Sequence, residues 1–212
     1  VVVLGGIVQH RVEVQLVDLG DGAQVARQRA RHLDMLVSLA AVTGSRALVL
    51  PCGAIDHQPL GTLDEDLDRV AAELIAAAHV AAASGVELWC ETLHFHRLCF
   101  DIERAQALTD RLAGHVGVVM DFSHIVASGG DPVEFVDRFG PQIAHVRIPA
   151  AVPGNINLSV GNGAVDFGRG LKALAGAGYP GHFALELETR DLTHDERPAA
   201  TTAAAQLISE LI

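Results

Sequence analysis

An alternation of period is the feature that most limits the folds open to this chain. Short apolar runs alternate with longer stretches whose apolar positions recur every three or four residues, and the pair repeats at intervals of roughly 25 to 40 residues. The short runs are "VVVLGGI" (residues 1–7), "RALVLP" (46–51), "VELWCE" (86–91), "VGVVMD" (116–121), "IAHVRI" (143–148) and "HFALELE" (182–188). The spacing predicts a helix over residues 21–42, where Val25, Leu33, Leu36, Val37, Ala40 and Ala41 form a stripe that Gly44 stops. A second helix starts at the capping box Thr62 and Glu65, runs through Leu63, Leu67, Val70, Leu74 and Ile75, and stops at Gly85. Further helices are expected over residues 101–113, closed by Gly114, and over 131–140, with Asp131 at the N-cap, Pro132 at N1 and Gly140 past the end. The last two cover 167–177 and the alanine-rich C-terminal segment.

Strand, helix, strand, helix in this order is the pattern of βα units around a parallel sheet. Six units are legible where a complete (β/α)₈ barrel has eight. A doubly wound open sheet usually announces its ligand site with a glycine-rich turn after the first strand, and none is present. With 212 residues, half of them hydrophobic, and no linker-like run, residues 1–212 read as one domain. The chain begins "VVVLGG" without an initiator methionine, so an N-terminal portion is expected to be missing.

Fifteen basic against 26 acidic side chains give a net charge of −11, which repels polyanions and argues against nucleic-acid binding. Cys52, Cys90 and Cys99 show no CxxC pairing and read as reduced thiols of a cytoplasmic protein, with Cys90 filling the core beside Leu88. The alanine-rich runs are broken well short of the ~20 residues that span a bilayer, and no signal peptide is visible.

Carboxylates gather at the carboxyl ends of the predicted strands: Glu91, Asp121 and Glu186. Barrel sites are built at that end, and three converging carboxylates need a cation, most often a divalent metal, to offset their repulsion. His94 and His96 follow Glu91, His124 follows Asp121 in an expected loop, and His145 shares a strand face with Arg147. Cys52, Asp56 and His57 are expected to wall the mouth, and Arg190 to lie in a solvated loop. A glycine-rich loop is expected between the strand 143–148 and the helix 167–177, and within it "VGNGAVDF" (160–167) reads most simply as a tight turn with Asp166 opening a helix.

Glu91 at a strand end, "DFSH" (121–124), "HVR" at His145, "VGNGAVDF" and "GYPGHFALELE" (178–188), in this order and spacing, resemble the sugar-phosphate isomerase/epimerase group. That group has the xylose-isomerase-like TIM barrel and is related to ketose 3-epimerases and endonuclease IV. The resemblance covers essentially the whole chain and implies such a barrel lacking its first one or two βα units. It implies a divalent metal (Mn, Mg, Co or Zn) held by Glu91, Asp121, the position of Arg147, and Glu186. Glu91 and Glu186 would move the proton next to a carbonyl, and His94, His124, His145 and Arg147 would contact a small sugar-like substrate. Members of the group often form dimers or tetramers, so a homo-oligomer is one expectation, but no segment of the sequence fixes an interface.

Arg147 departs from the family pattern, which has a ligating histidine there, because arginine has no lone pair for a metal. Two outcomes stay open. Arg147 folds aside and a weakened metal remains, or its guanidinium neutralises the carboxylates and no metal is held. The activity implied is an isomerase or epimerase, or a dehydratase or lyase sharing the enolate-type intermediate. The alternative is a non-catalytic or metal-independent barrel with a binding or regulatory role. A DNA-repair endonuclease suits neither the acidic charge nor a three-metal site.

Overall fold

The structure is a computed structural model that describes residues 22–187 and 192–212. In chain order the elements are α1 (Gly22–Val42), β1 (Ala47–Pro51), α2 (Leu63–Ala82), β2 (Glu87–Glu91), α3 (Ile102–Leu112), β3 (Gly117–Asp121), α4 (Phe122–Ala127), α5 (Pro132–Phe139), β4 (Ile143–Ile148), β5 (Ala150–Val152), β6 (Asn155–Leu158), α6 (Phe167–Gly176), β7 (Phe183–Leu185) and α7 (Arg197–Ser209). Among the described residues, β1, β2, β3, β4 and β7 form an open parallel sheet in that order. The strand expected at residues 1–7 and Arg190 lie outside the described residues.

Period-two alternation decides what each strand offers to either face. Val118, Met120, Val146 and Ile148 are fully buried with Phe135, Val136 and Phe139 of α5 and Leu171 and Leu174 of α6. Leu88 and Cys90 of β2 pack with Leu67, Ala71 and Leu74 of α2 and Leu108 and Leu112 of α3. The helices therefore cover one face, and the residues between these apolar positions, Trp89, Glu91, Val119, Asp121, His145 and Arg147, are left to the other. A shift of register between Val118 and Val119 keeps Val119 beside His145 and Asp121 beside Arg147. Gly117 permits the close approach beneath them, since a Cβ there would lie 2.6 Å from the Ala144 Cβ and 2.7 Å from Trp89.

Caps follow the sequence closely. Thr62 and Glu65 form the reciprocal box, and Asp101, Asp131 and Asp166 each accept from a backbone N–H in the first turn of α3, α5 and α6. Four expectations change. Ala113 is already left-handed (φ 49°) before Gly114, so the turn that closes α3 begins one residue early. The last strand is only Phe183–Leu185, and Glu186 follows its end. The segment after Pro149 is not simply a loop: the Pro153-Gly154 turn, with Gly154 at φ 81°, folds β5 onto β6 as an antiparallel hairpin. His124 is not in a loop either. It lies in α4, because one oxygen of Asp121 accepts from the Ser123 N–H (2.8 Å), the Ser123 hydroxyl (2.7 Å) and the His124 N–H (3.2 Å) and so starts a helix directly from β3.

Candidate active site at the carboxyl end of the sheet

Arg147 joins two of the carboxylates at this end of the sheet. Its Nη1 donates to Glu91 Oε1 at 2.9 Å, and its Nε lies 3.9 Å from Glu186 Oε2. Burial opposes the charge on Arg147, but Glu91, Glu186 and Asp121 outweigh it and hold the guanidinium above its ordinary value. Glu186 keeps 46% of its side chain open to solvent. Its carboxyl is nonetheless pushed up by burial and by repulsion from Asp121, with Arg147 working against both.

Two imidazoles complete the surroundings of Glu91. His94 Nε2 stands 3.8 Å from Oε2 and His124 Nε2 stands 3.8 Å from Oε1. The rings stack with centroids 3.8 Å apart. Both are held from behind by consecutive backbone N–H groups of one turn: Phe95 N donates to His124 Nδ1 (3.3 Å) and His96 N to His94 Nδ1 (3.2 Å). The turn closes through Arg97 N donating to the His94 carbonyl. His57 from the loop after β1 stacks on Phe100 and donates from Nε2 to the Phe95 carbonyl at 2.6 Å. Arg104 donates to the His57 and Leu98 carbonyls and tightens the same pair of loops.

One layer towards the amino ends of the strands, Trp89 stacks on His145 at 5.3 Å and donates to Glu87, which also accepts from Arg46. Burial, then the charges of Arg147 and His182, lower His145 to about 4. His145 therefore lies beneath the carboxylates as a neutral ring.

The structure brings together Glu91, His94, His124, Arg147 and Glu186, with Asp121 close enough to act on the last two. Among the described residues, the group of three with metal-ligand spacing is Glu91, His94 and His124, whose ligand atoms lie within 4.8 Å of one another. Asp121 and Glu186 are not part of it. Cys52 is fully buried in the core, and Asp56 caps its own turn through Gln58 N. The sequence reading put His57 in the mouth's wall but missed its hold on the turn behind His94, because a backbone carbonyl or N–H in a special role leaves no mark in residue type.

Among solved structures, the chain is similar to the IolI protein with a bound zinc atom (TM-score 0.74, 19% identity, covering 91% of this chain and 73% of that one). It is similar also to L-ribulose 3-epimerase (0.69, 19%, 86% and 62%) and to the probable 3-DHS dehydratase AsbF from Bacillus anthracis (0.69, 16%, 92% and 73%). These likenesses carry the fold. Among curated proteins, ML2432 of Mycobacterium leprae is 32% identical over 101 residues, 46% of this chain and 36% of that protein. Rv0498 of Mycobacterium tuberculosis is 30% identical over 77 residues, 35% and 28%. The matched stretch thus spans about a third of the length of these relatives. Residues 5–211 match one family along almost the whole chain, and with the parallel sheet and its polar carboxyl end this shows that the chain belongs to the xylose isomerase-like TIM barrel family.

Proposed function

We propose that this protein is a sugar isomerase or epimerase of unusual type, moving a proton next to the carbonyl of a small ketose, sugar phosphate or related polyhydroxy compound. The observation that carries the reading is the buried Arg147–Glu91 pair with Glu186 beside the same guanidinium. The residues present do not fit a divalent ion. Arg147 already occupies a Glu91 oxygen, and a fixed cation among the ligands would repel a second one by several kcal/mol at intermediate dielectric. A guanidinium can instead polarise the substrate's carbonyl oxygen and hold the negative charge that develops there.

Glu186, its carboxyl pushed above its ordinary value by burial and by Asp121 and partly open to solvent, takes the proton from the adjacent carbon. The C–H electron pair moves into a carbon–carbon double bond and the carbonyl π pair onto oxygen, against Arg147. Return of the proton to the former carbonyl carbon, with the hydroxyl proton of the first carbon passing to the oxygen held by Arg147, isomerises, and delivery of a proton from solvent to the opposite face of the first carbon, Glu186 giving its own proton up to solvent, epimerises. Loss of a β-hydroxyl from the same intermediate would give the dehydratase variant.

The test is a panel of ketoses and their phosphates incubated in D₂O, with deuterium incorporation next to the carbonyl followed by NMR. At least one should exchange, and Glu186→Gln should slow that exchange by about a hundredfold or more. The second reading, a metal-free binding or regulatory barrel without turnover, is favoured by the pairing of Glu91 with Arg147, which withdraws one of the two glutamates from proton transfer. Saturable binding without exchange for every compound would select it.

A further inference from the structure

We infer that Arg97 is an anion receptor on the flank of the candidate active site and takes the carboxylate of a polyhydroxy acid. Three buried polar atoms among the described residues have no hydrogen-bond partner: Arg29 Nε, Thr92 Oγ1 and Arg97 Nε. Arg29 is only half-buried, and the threonine hydroxyl is neutral. Arg97 is 8% exposed, carries a charge that it cannot shed, and is the most deeply buried arginine among the described residues. An enclosed cation without an anion is costly, and the other enclosed arginine, Arg147, has Glu91. No described carboxylate plays that part for Arg97. Its one side-chain bond runs from Nη1 to the carbonyl of Gly53, 3.0 Å away.

The backbone holds this cation between the loops that follow β1 and β2. Arg97 N donates to the His94 carbonyl, and Leu98 N donates to the Ala54 carbonyl. Gly53, at φ 118°, adopts a backbone conformation that side chains disfavour, and a Cβ there would lie 3.1 Å from the Leu98 Cβ. Glycine therefore lets the first loop bring its carbonyl against the guanidinium. With Nη1 spent on that carbonyl, the edge left over is Nε with Nη2, the fork that binds two oxygens of one oxyanion side by side. The charge is felt at the strand end: burial, Cys52 and Glu91 push the Cys90 thiol up, and Arg97 works against them.

Charge balance selects the ligand. One guanidinium neutralises one carboxylate, whereas a phosphate monoester would bring further negative charge to a strand end where Glu91, Asp121 and Glu186 already act on Arg147. Seating this carboxylate on a substrate whose carbonyl meets Arg147 rests on the proton-transfer reading above and narrows it to a keto acid carrying hydroxyl groups; the partnerless cation does not rest on it.

The test is ¹H–¹⁵N correlation of the arginine Nε–H signals in the unmodified protein, with Arg97 assigned through its own side chain to the backbone. Sodium D-gluconate should move the Arg97 signal saturably, and D-glucitol, the same chain with an alcohol in place of the carboxylate, should leave it in place. D-fructose 6-phosphate should move it only at concentrations at least about tenfold higher. No shift with gluconate, or an equal one with glucitol, would overturn the anion receptor, and a response to the phosphate at equal or lower concentration would overturn the choice of carboxylate. By calorimetry, Arg97→Lys, which keeps the charge and loses the fork, should bind gluconate at least about tenfold more weakly. Unchanged affinity in that variant would overturn the bidentate seat. None of these readouts needs turnover, and gluconate has no ketone to exchange, so failure of the exchange assay and failure of this inference are separate results.

Discussion

The inner face of the sheet carries two arginine–glutamate pairs of the same length in opposite surroundings. Arg46 Nε lies 2.9 Å from Glu87 with 71% and 49% of the side chains exposed, while Arg147 Nη1 lies 2.9 Å from Glu91 with 14% and 9% exposed. The first, at the amino end, is a surface pair of the kind worth about 0–1 kcal/mol. The second is enclosed, and removing one partner from such a pair strands a charge at a cost of about 3–5 kcal/mol. Equal distances therefore carry unequal weight. The enclosed pair sits at the carboxyl ends of β2 and β4, where the proposed proton transfer is placed.

The enclosed pair should weigh most on stability. Arg147→Met should lower the unfolding free energy by about 3–5 kcal/mol in urea titration, and Arg147→Met combined with Glu91→Met should recover much of the loss. A single-variant loss below 1 kcal/mol would make the two pairs equivalent.

His145 makes the enclosed pair sensitive to pH. Its folded value of about 4 lies below the ordinary 6.5, so the unfolded chain takes up the proton first. Its contribution is fully present above pH 6.5 and is lost as the pH falls towards 4, up to about 3 kcal/mol in total. His145→Gln should flatten stability against pH in that window. Arg147→Met should narrow the window from below, because one of the charges holding the ring neutral is gone. An unchanged slope in both variants would detach His145 from the enclosed pair.

The smallest effect belongs to the outer pair. A double-mutant cycle on Arg46 and Glu87 should return a coupling below about 1 kcal/mol that fades between low and high salt. A salt-insensitive coupling of several kcal/mol would erase the contrast.

Much of the scaffold was legible in the sequence because it rests on local rules. Thr62, Asp101, Asp131 and Asp166 sit where helices start, and Val146 and Ile148 alternate with His145 and Arg147 as the strand period requires. The hairpin after Pro149 had a signal in Pro153-Gly154 that the surrounding glycines obscured. Of the residues singled out in the sequence, Glu91, His94, His124, Arg147 and Glu186 lie together in the structure. Residue types did not show that Asp121 spends one oxygen on capping α4, which places His124 on a helix beside Glu91. Nor did they reveal the N–H groups of Phe95 and His96, since backbone donors belong to every non-proline residue and only the path of the turn aims them.

If Arg147 stands in place of a metal, elemental analysis after incubation with Mn²⁺, Mg²⁺, Co²⁺ and Zn²⁺ and exhaustive dialysis, for the unmodified protein and for Arg147→His, will show it. The unmodified protein should retain no ion, and Arg147→His should retain about one equivalent per chain, its new histidine joining Glu91, Asp121 and Glu186. One equivalent retained by the unmodified protein, and lost in Glu91→Gln, would contradict the replacement of a metal by Arg147.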